Sequence, residues 1–143
     1  MDIDNIKFEF VHDLPSEVVV ELYKEAHWWK ETAHAREIIP KMIAGSFCFL
    51  VAYHNAQVIG MGRAISDGVS DAYIQDIVVK KDFRGNSIGK EIIHRLVHFC
   101  QSHGLLWIGL IAEPDTESFY ENLGFQKMEK STPMLFKGFT NGK

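Results

Sequence analysis

The sequence predicts an α/β fold: a mixed, mostly antiparallel twisted sheet of about seven strands flanked by helices. Three observations carry this reading. Residues 47–53, 57–65 and 72–79 are β-branched and aromatic runs separated by turn signals, His54-Asn55-Ala56 and Asp67-Gly68, and they read as an antiparallel meander. From Ser87 the apolar period changes to Ile88, Ile92, Ile93, Leu96, Val97, Phe99 and Cys100, one face of a helix closed by Gly104. Residues 105–111 are then almost wholly apolar, as in a strand buried on both faces. Strand, helix and strand form one crossover inside an otherwise antiparallel sheet.

The remaining elements follow in order. Residues 7–11 alternate as a short strand, and Asp13-Leu14-Pro15-Ser16 stops it and starts a helix, with Pro15 at a tolerated early position. Val18, Val19, Leu22, Tyr23 and Ala26 keep helical spacing to about Trp29. Thr32 reads as the cap of a second helix carrying Ala35, Ile38, Ile39, Met42 and Ile43 and ended by Gly45. After the crossover, residues 115–122 read as a short helix stopped by Gly124, and residues 125–129 and 133–139 as two final strands. The expected order is β-α-α-β-β-β-α-β-α-β-β. No repeat, low-complexity run or linker divides the 143 residues, so 1–143 reads as a single domain.

With 46% hydrophobic and 24% charged residues, the composition excludes a disordered tail, a collagen and a disulfide-stapled mini-protein. The net charge of −4 argues against general nucleic-acid binding. Charge is uneven, however. Residues 1–37 hold nine acids against the four bases Lys7, Lys24, Lys30 and Arg36. Residues 80–95 hold Lys80, Lys81, Arg84, Lys90 and Arg95 against Asp82 and Glu91. Cys48 and Cys100 lie in apolar surroundings without a CxxC spacing, and read as buried reduced thiols. The acidic first residues lack a leader's apolar stretch, and no run approaches the ~20 residues of a membrane helix. The expected location is cytoplasmic.

The turn from the third meander strand into the crossover helix is Arg84-Gly85-Asn86-Ser87-Ile88-Gly89-Lys90. The first amides of a helix lack intrahelical partners and sit at the positive end of its dipole. Glycines let a backbone approach an anion closely, so the segment is suited to pyrophosphate; a charged surface turn is the plain alternative. It is neither GxGxxG nor GxxxxGK[ST].

Two stretches resemble a known family. Residues 77–93, Ile-Val-Val-Lys-Lys-Asp-Phe-Arg-Gly-Asn-Ser-Ile-Gly-Lys-Glu-Ile-Ile, resemble motif A of the GNAT superfamily of N-acetyltransferases. Arg84 and Gly89 fill its outer positions, Ser87 replaces its central glycine and Lys81 its usual proline. Residues 118–125, Ser-Phe-Tyr-Glu-Asn-Leu-Gly-Phe, resemble the downstream A-x-x-F-Y-E-K-x-G-F signature. The element order is also that of the GNAT fold, so the resemblance covers nearly the whole chain, nearest to members acting on arylalkylamines and other small amines.

The resemblance implies an N-acetyltransferase that moves an acetyl group from acetyl-CoA to an amine in a ternary complex. It implies that the backbone of residues 84–90 (Arg84, Gly85, Asn86, Ser87, Ile88, Gly89 and Lys90) receives the CoA pyrophosphate. Ile77, Val78 and Val79 then pair with the pantetheine arm, and Tyr120 protonates the departing thiolate. Ser87 is expected either to supply its amide or to cap the helix. Glu113 and Thr116 stand where relatives carry Asn and Ala, so the usual amide contact to the pantetheine is not assured. On the amine side Asp76, just ahead of Ile77, is the candidate base, with a structural carboxylate as the alternative. Strand alternation is expected to put Tyr73 and Gln75 on one face and Asp76 on the other.

Trp28, Trp29 and Tyr73 are the candidate substrate-binding residues. Two adjacent indoles cannot both face the core, and aromatic faces beside Glu25 and Glu31 suit a cationic or aromatic amine. His94 and His98 have i, i+4 spacing but no third ligand in register, so no metal is expected. The expected partners are acetyl-CoA and a small amine, with a homodimer allowed and neither nucleic acid nor membrane. The alternatives are a non-catalytic acyl-CoA-binding module or a protein or peptide N-acetyltransferase.

Overall fold

The computed structural model describes residues 5–139; the leaderless reading of the first residues falls largely outside that range. The elements are β1 (Ile6–Phe10), α1 (Ser16–Glu25), α2 (Ile38–Gly45), β2 (Cys48–His54), β3 (Gln57–Ser66), β4 (Asp71–Val79), α3 (Ile88–Ser102), β5 (Trp107–Gly109) and α4 (Glu117–Glu121). Five strands, not about seven, form one sheet in the order β1-β2-β3-β4-β5. The first four strands are antiparallel neighbours and β5 is parallel to β4, which is the expected crossover. The chain divides into two compact units, residues 1–110 and 111–143.

In the first unit, helices cover both faces of the sheet. Val19, Val20 and Leu22 of α1 and Ile39 and Ile43 of α2 pack with Phe49, Val51, Met61 and Val78. The α3 face predicted by the period change is buried at Ile88, Ile92, Ile93, Leu96 and Cys100. The β2–β3 hairpin closes through Asn55 and Ala56, both at positive φ, as the twist of a two-residue turn demands. The first helix ends at Glu25 rather than near Trp29, because His27 takes φ 62° and turns the chain. Thr32 does not cap α2. A 3-10 helix, Ala35–Glu37, runs straight into it, and Pro40 sits in the first turn, where a missing N–H is not needed.

The largest departures lie towards the C-terminus. The apolar run at 105–111 pairs only through Trp107–Gly109, and Leu106 and Ile111 are exposed. Residues 125–129 and 133–139 form no strand. Phe125 and Met128 are three apart rather than two, Pro133 removes a ladder donor, and Met134, Leu135 and Phe136 are exposed. A strand exists only through its ladder, and β5, three residues long, is the last in the sheet.

Candidate active site

The site starts from a defect in the sheet. Met61 pairs with Val78 and Arg63 with Gln75, so Gly62 faces two residues, Asp76 and Ile77. This β-bulge puts Asp76 at φ 59°, a conformation that Asp tolerates better than most side chains. Gly62 makes room for it: a Cβ there would lie 2.5 Å from Ile77 Cδ1 and 2.8 Å from Ile92 Cγ2. β4 pairs with β5 only at Asp71, Ala72 and Tyr73. From Ile74 to Val79 its edge on that side carries no strand among the described residues. Ile77, Val78 and Val79 therefore lie on a stretch of backbone open to pairing by an extended ligand.

That stretch leads into the loop and α3. A 3-10 helix, Lys81–Phe83, is followed by Gly85 at φ 82° and Ser87 at φ 62°. Gly85 faces open space, with nothing within 4 Å of where a Cβ would stand. Arg84 Nε donates to Val79 O at 2.9 Å, and Asn86 Nδ2 to Phe83 O at 3.0 Å, so both side chains brace the loop. Ser87 does not cap α3 with its hydroxyl; it occupies the left-handed region, which glycine enters more readily. The loop thus brings Ile88, Gly89 and Lys90 in as the first turn of a 15-residue helix whose leading amides lack intrahelical partners. Those amides, the helix dipole and the Lys90 ammonium suit a phosphate-bearing ligand.

The other side of the bulge holds a part-buried polar network in which Asp76 pairs with the neighbouring strand, the structural alternative expected for it, through partners that the sequence did not single out. Asp76 Oδ2 accepts from Arg63 Nε at 2.7 Å and from the Tyr23 hydroxyl at 3.0 Å. The Arg63 and Asp76 side chains are only 14% and 19% exposed, which makes this pair unlike those at the surface. Tyr23 also lies 3.0 Å from Met42 Sδ, and Arg63 Nη1 reaches Ser46 Oγ at 3.4 Å. Burial first, and then the Asp76 charge, push the Tyr23 phenol well above its ordinary pKa, so it stays a donor. The expected alternation fails here. Arg63 is the cross-strand partner of Gln75 and binds Asp76, so the bulge turns Asp76 to Gln75's face. The one available signal was Arg63 itself, a charge inside the apolar run 58–65.

Of the two indoles, Trp29 packs on the core, 6.5 Å from the Tyr23 ring and under the Arg36 guanidinium at 5.3 Å. Trp28 is 38% exposed and lies 6.1 Å from Tyr23. Arg36 Nη1 donates to both oxygens of Glu31, at 2.7 and 2.6 Å, and Arg36 Nε donates to Glu17. Tyr73 stands 5.2 Å from Trp107, and both are exposed. In the second unit Tyr120 is half-buried in α4, with edge contacts to Phe119 and Phe125. Burial, and then Glu113, raise its pKa above the ordinary 10.0. The Thr116 hydroxyl donates to Glu113 O at 2.6 Å. Cys48 and Cys100 are free and buried against each other, and their hydrogen bond followed by burial pushes the Cys48 thiol up. His94 and His98 lie on exposed positions of α3, and no cluster of three metal-ligating side chains occurs among the described residues.

Residues 13–140 match the model of the acetyltransferase (GNAT) domain. The chain belongs to the GNAT family. An uncharacterised N-acetyltransferase of Pyropia yezoensis is 42% identical over 73 residues, 51% of this chain and 42% of that protein. A protein of rice named serotonin N-acetyltransferase 2, chloroplastic, is 37% identical over 67 residues, 47% of this chain and 34% of its own length. The matched stretch is less than half of each of these relatives. A probable acetyltransferase from Staphylococcus aureus shares the fold with a TM-score of 0.80 at 27% identity, covering 93% of this chain and 99% of its own.

Proposed function

We propose that this GNAT chain is an acetyl-CoA-dependent N-acetyltransferase that acetylates the primary amine of a small molecule by direct transfer. The observation that carries the reading is the unpaired edge of β4 running into a loop with two left-handed residues and the start of α3. In this reading Ile77, Val78 and Val79 pair with the pantetheine amides, and residues 84–90 receive the pyrophosphate. The amine nitrogen attacks the thioester carbonyl, a C–N bond forms, and the C–S bond breaks. Tyr120 gives its proton to the thiolate, which its raised pKa permits across neutral pH. The amine's proton goes to Asp76 or to a water held by it. Backbone donors already in place at the developing oxyanion lower the barrier more than donors that must reorganise.

In this reading the exposed Trp28 and Tyr73 supply the aromatic contacts of the acceptor site, whereas Trp29 is held in the core packing. We assign the protein to a reducing, cytoplasm-like compartment, supported by its two free buried thiols. Thiol release from acetyl-CoA with a panel of small amines tests the function. Amine-dependent release supports it, whereas stabilisation by CoA without release points to a binding module.

A further inference from the structure

Resting on that function, we propose that Arg63 and Tyr23 are positioning residues for Asp76. They hold its carboxylate by one oxygen and tie the acceptor-side helices to the β4 bulge. Three features argue for a built arrangement rather than a chance ion pair. The first is backbone strain: Asp76 sits at φ 59° in the middle of a strand, a state that persists only when its surroundings over-determine it. The second is convergence. Arg63 from β3 and Tyr23 from α1 meet on the same atom, Oδ2, at 2.7 and 3.0 Å. A carboxylate offers about four lone-pair sites over its two oxygens, so anchoring through Oδ2 leaves Oδ1 for the acceptor amine. The third is connectivity. Arg63 Nη1 reaches Ser46 Oγ, which donates to Met42 O at 2.7 Å, so the end of α2 joins the same network.

The roles of the two residues differ. The Tyr23 phenol has a single hydrogen and two acceptors in range, the thioether of Met42 and the carboxylate of Asp76. The anion is the stronger acceptor, so the proton points to Asp76. Tyr23 therefore sets the direction of the carboxylate. Arg63 supplies the opposite charge that pairs with the carboxylate at a site only 19% exposed.

The test compares Tyr23→Phe, Arg63→Met and Arg63→Lys with the wild type, using an amine that the wild type acetylates. Melting temperature, acetyl-CoA affinity, kcat and the KM of the amine are all measured. Losing a hydrogen bond to a charged group corresponds to roughly 10- to 100-fold in rate. Tyr23→Phe is expected to lower kcat about tenfold, and Arg63→Met about 100-fold, with Arg63→Lys recovering part of the loss. Acetyl-CoA affinity should stay within about twofold, because neither side chain belongs to the loop. If Arg63→Met does not fold, Tyr23→Phe, which keeps its ring packing, decides alone. Variants that melt earlier yet keep the wild-type kcat and amine KM overturn the inference and leave the function standing. A wild type that releases no thiol with any amine overturns the function, and the inference with it.

Discussion

Ser87 is one position where this chain departs from its family's pattern, and there a single side chain carries a measurable strain. A non-glycine residue in the left-handed region costs about 1 kcal/mol relative to glycine, and Ser87 recovers none of it through a capping hydrogen bond. Ser87→Gly should raise stability by about 1 kcal/mol in urea unfolding while changing acetyl-CoA affinity less than about threefold, since the amide stays in place. Tightening by several powers of ten would mean that serine distorts the loop. Tyr120 allows a sharper test. Its pKa is raised, so the native state holds the proton more tightly than the unfolded chain. The stability this contributes is complete below pH ~10 and is lost only as the pH climbs through the higher folded value. A kcat profile should therefore show no decline from phenol ionisation between about pH 7 and 9.5. Tyr120→Phe should lower kcat by about 100-fold or more with acetyl-CoA affinity unchanged.

Among the elements, the bulge between β3 and β4 organises the site, and Gly62 permits it. Gly62→Ala drives a methyl into Ile77, Ile92 and Leu96 at 2.5 to 3.0 Å. Overpacking of this kind costs about 1–3 kcal/mol, and the same shift should disturb the open edge of β4. The expected result is a lower urea midpoint together with weaker acetyl-CoA binding; a variant of full stability and affinity would show that the bulge is not held by α3. This element also separates what the sequence showed from what it hid. The helical period from Ile88 to Cys100 is long and strict, so α3 is legible within a residue of its start. The bulge is not legible, because one extra residue leaves no periodic mark: Gly62 and Asp76 each look ordinary alone. The failed strands at 125–129 and 133–139 have another cause. Apolar residues there suggested pairing, but a ladder needs a partner edge, and β5 offers three residues.

Across the whole molecule, the uneven charge turns out to be partly internal. Glu21 Oε2 lies 3.5 Å from Lys80 Nζ, and Glu25 Oε2 accepts from the Lys81 amide at 3.2 Å. Glu17 and Glu31 hold Arg36, and Arg95 pairs with Glu91 while covering Phe8. Among the described residues, Glu17, Glu21, Glu25 and Glu31 of the acidic N-terminal segment are thus engaged by their own chain, so the segment attracts a cationic amine at long range less than its formal charge suggests. The basic loop still carries Arg84 and Lys90 into the region proposed for the phosphates. Raising ionic strength from ~50 to ~300 mM should therefore increase the KM for acetyl-CoA several-fold, while the amine KM moves less than about twofold. Equal salt dependence of both would show that the acidic segment steers a cationic amine. The crossover and the loop that leads into α3 were readable because both rest on local pattern, a helix period and a turn. The Tyr23–Arg63–Asp76 network was not, because its members are joined only by the folded sheet.

The most direct test of the account is thiol release from acetyl-CoA by the purified chain against a panel of aliphatic and aromatic primary amines, with thermal stabilisation by CoA measured in parallel. The account predicts that CoA stabilises the protein and that at least one small amine gives release dependent on both substrates and reduced about 100-fold in Tyr120→Phe. Stabilisation by CoA with no release for any amine would contradict it.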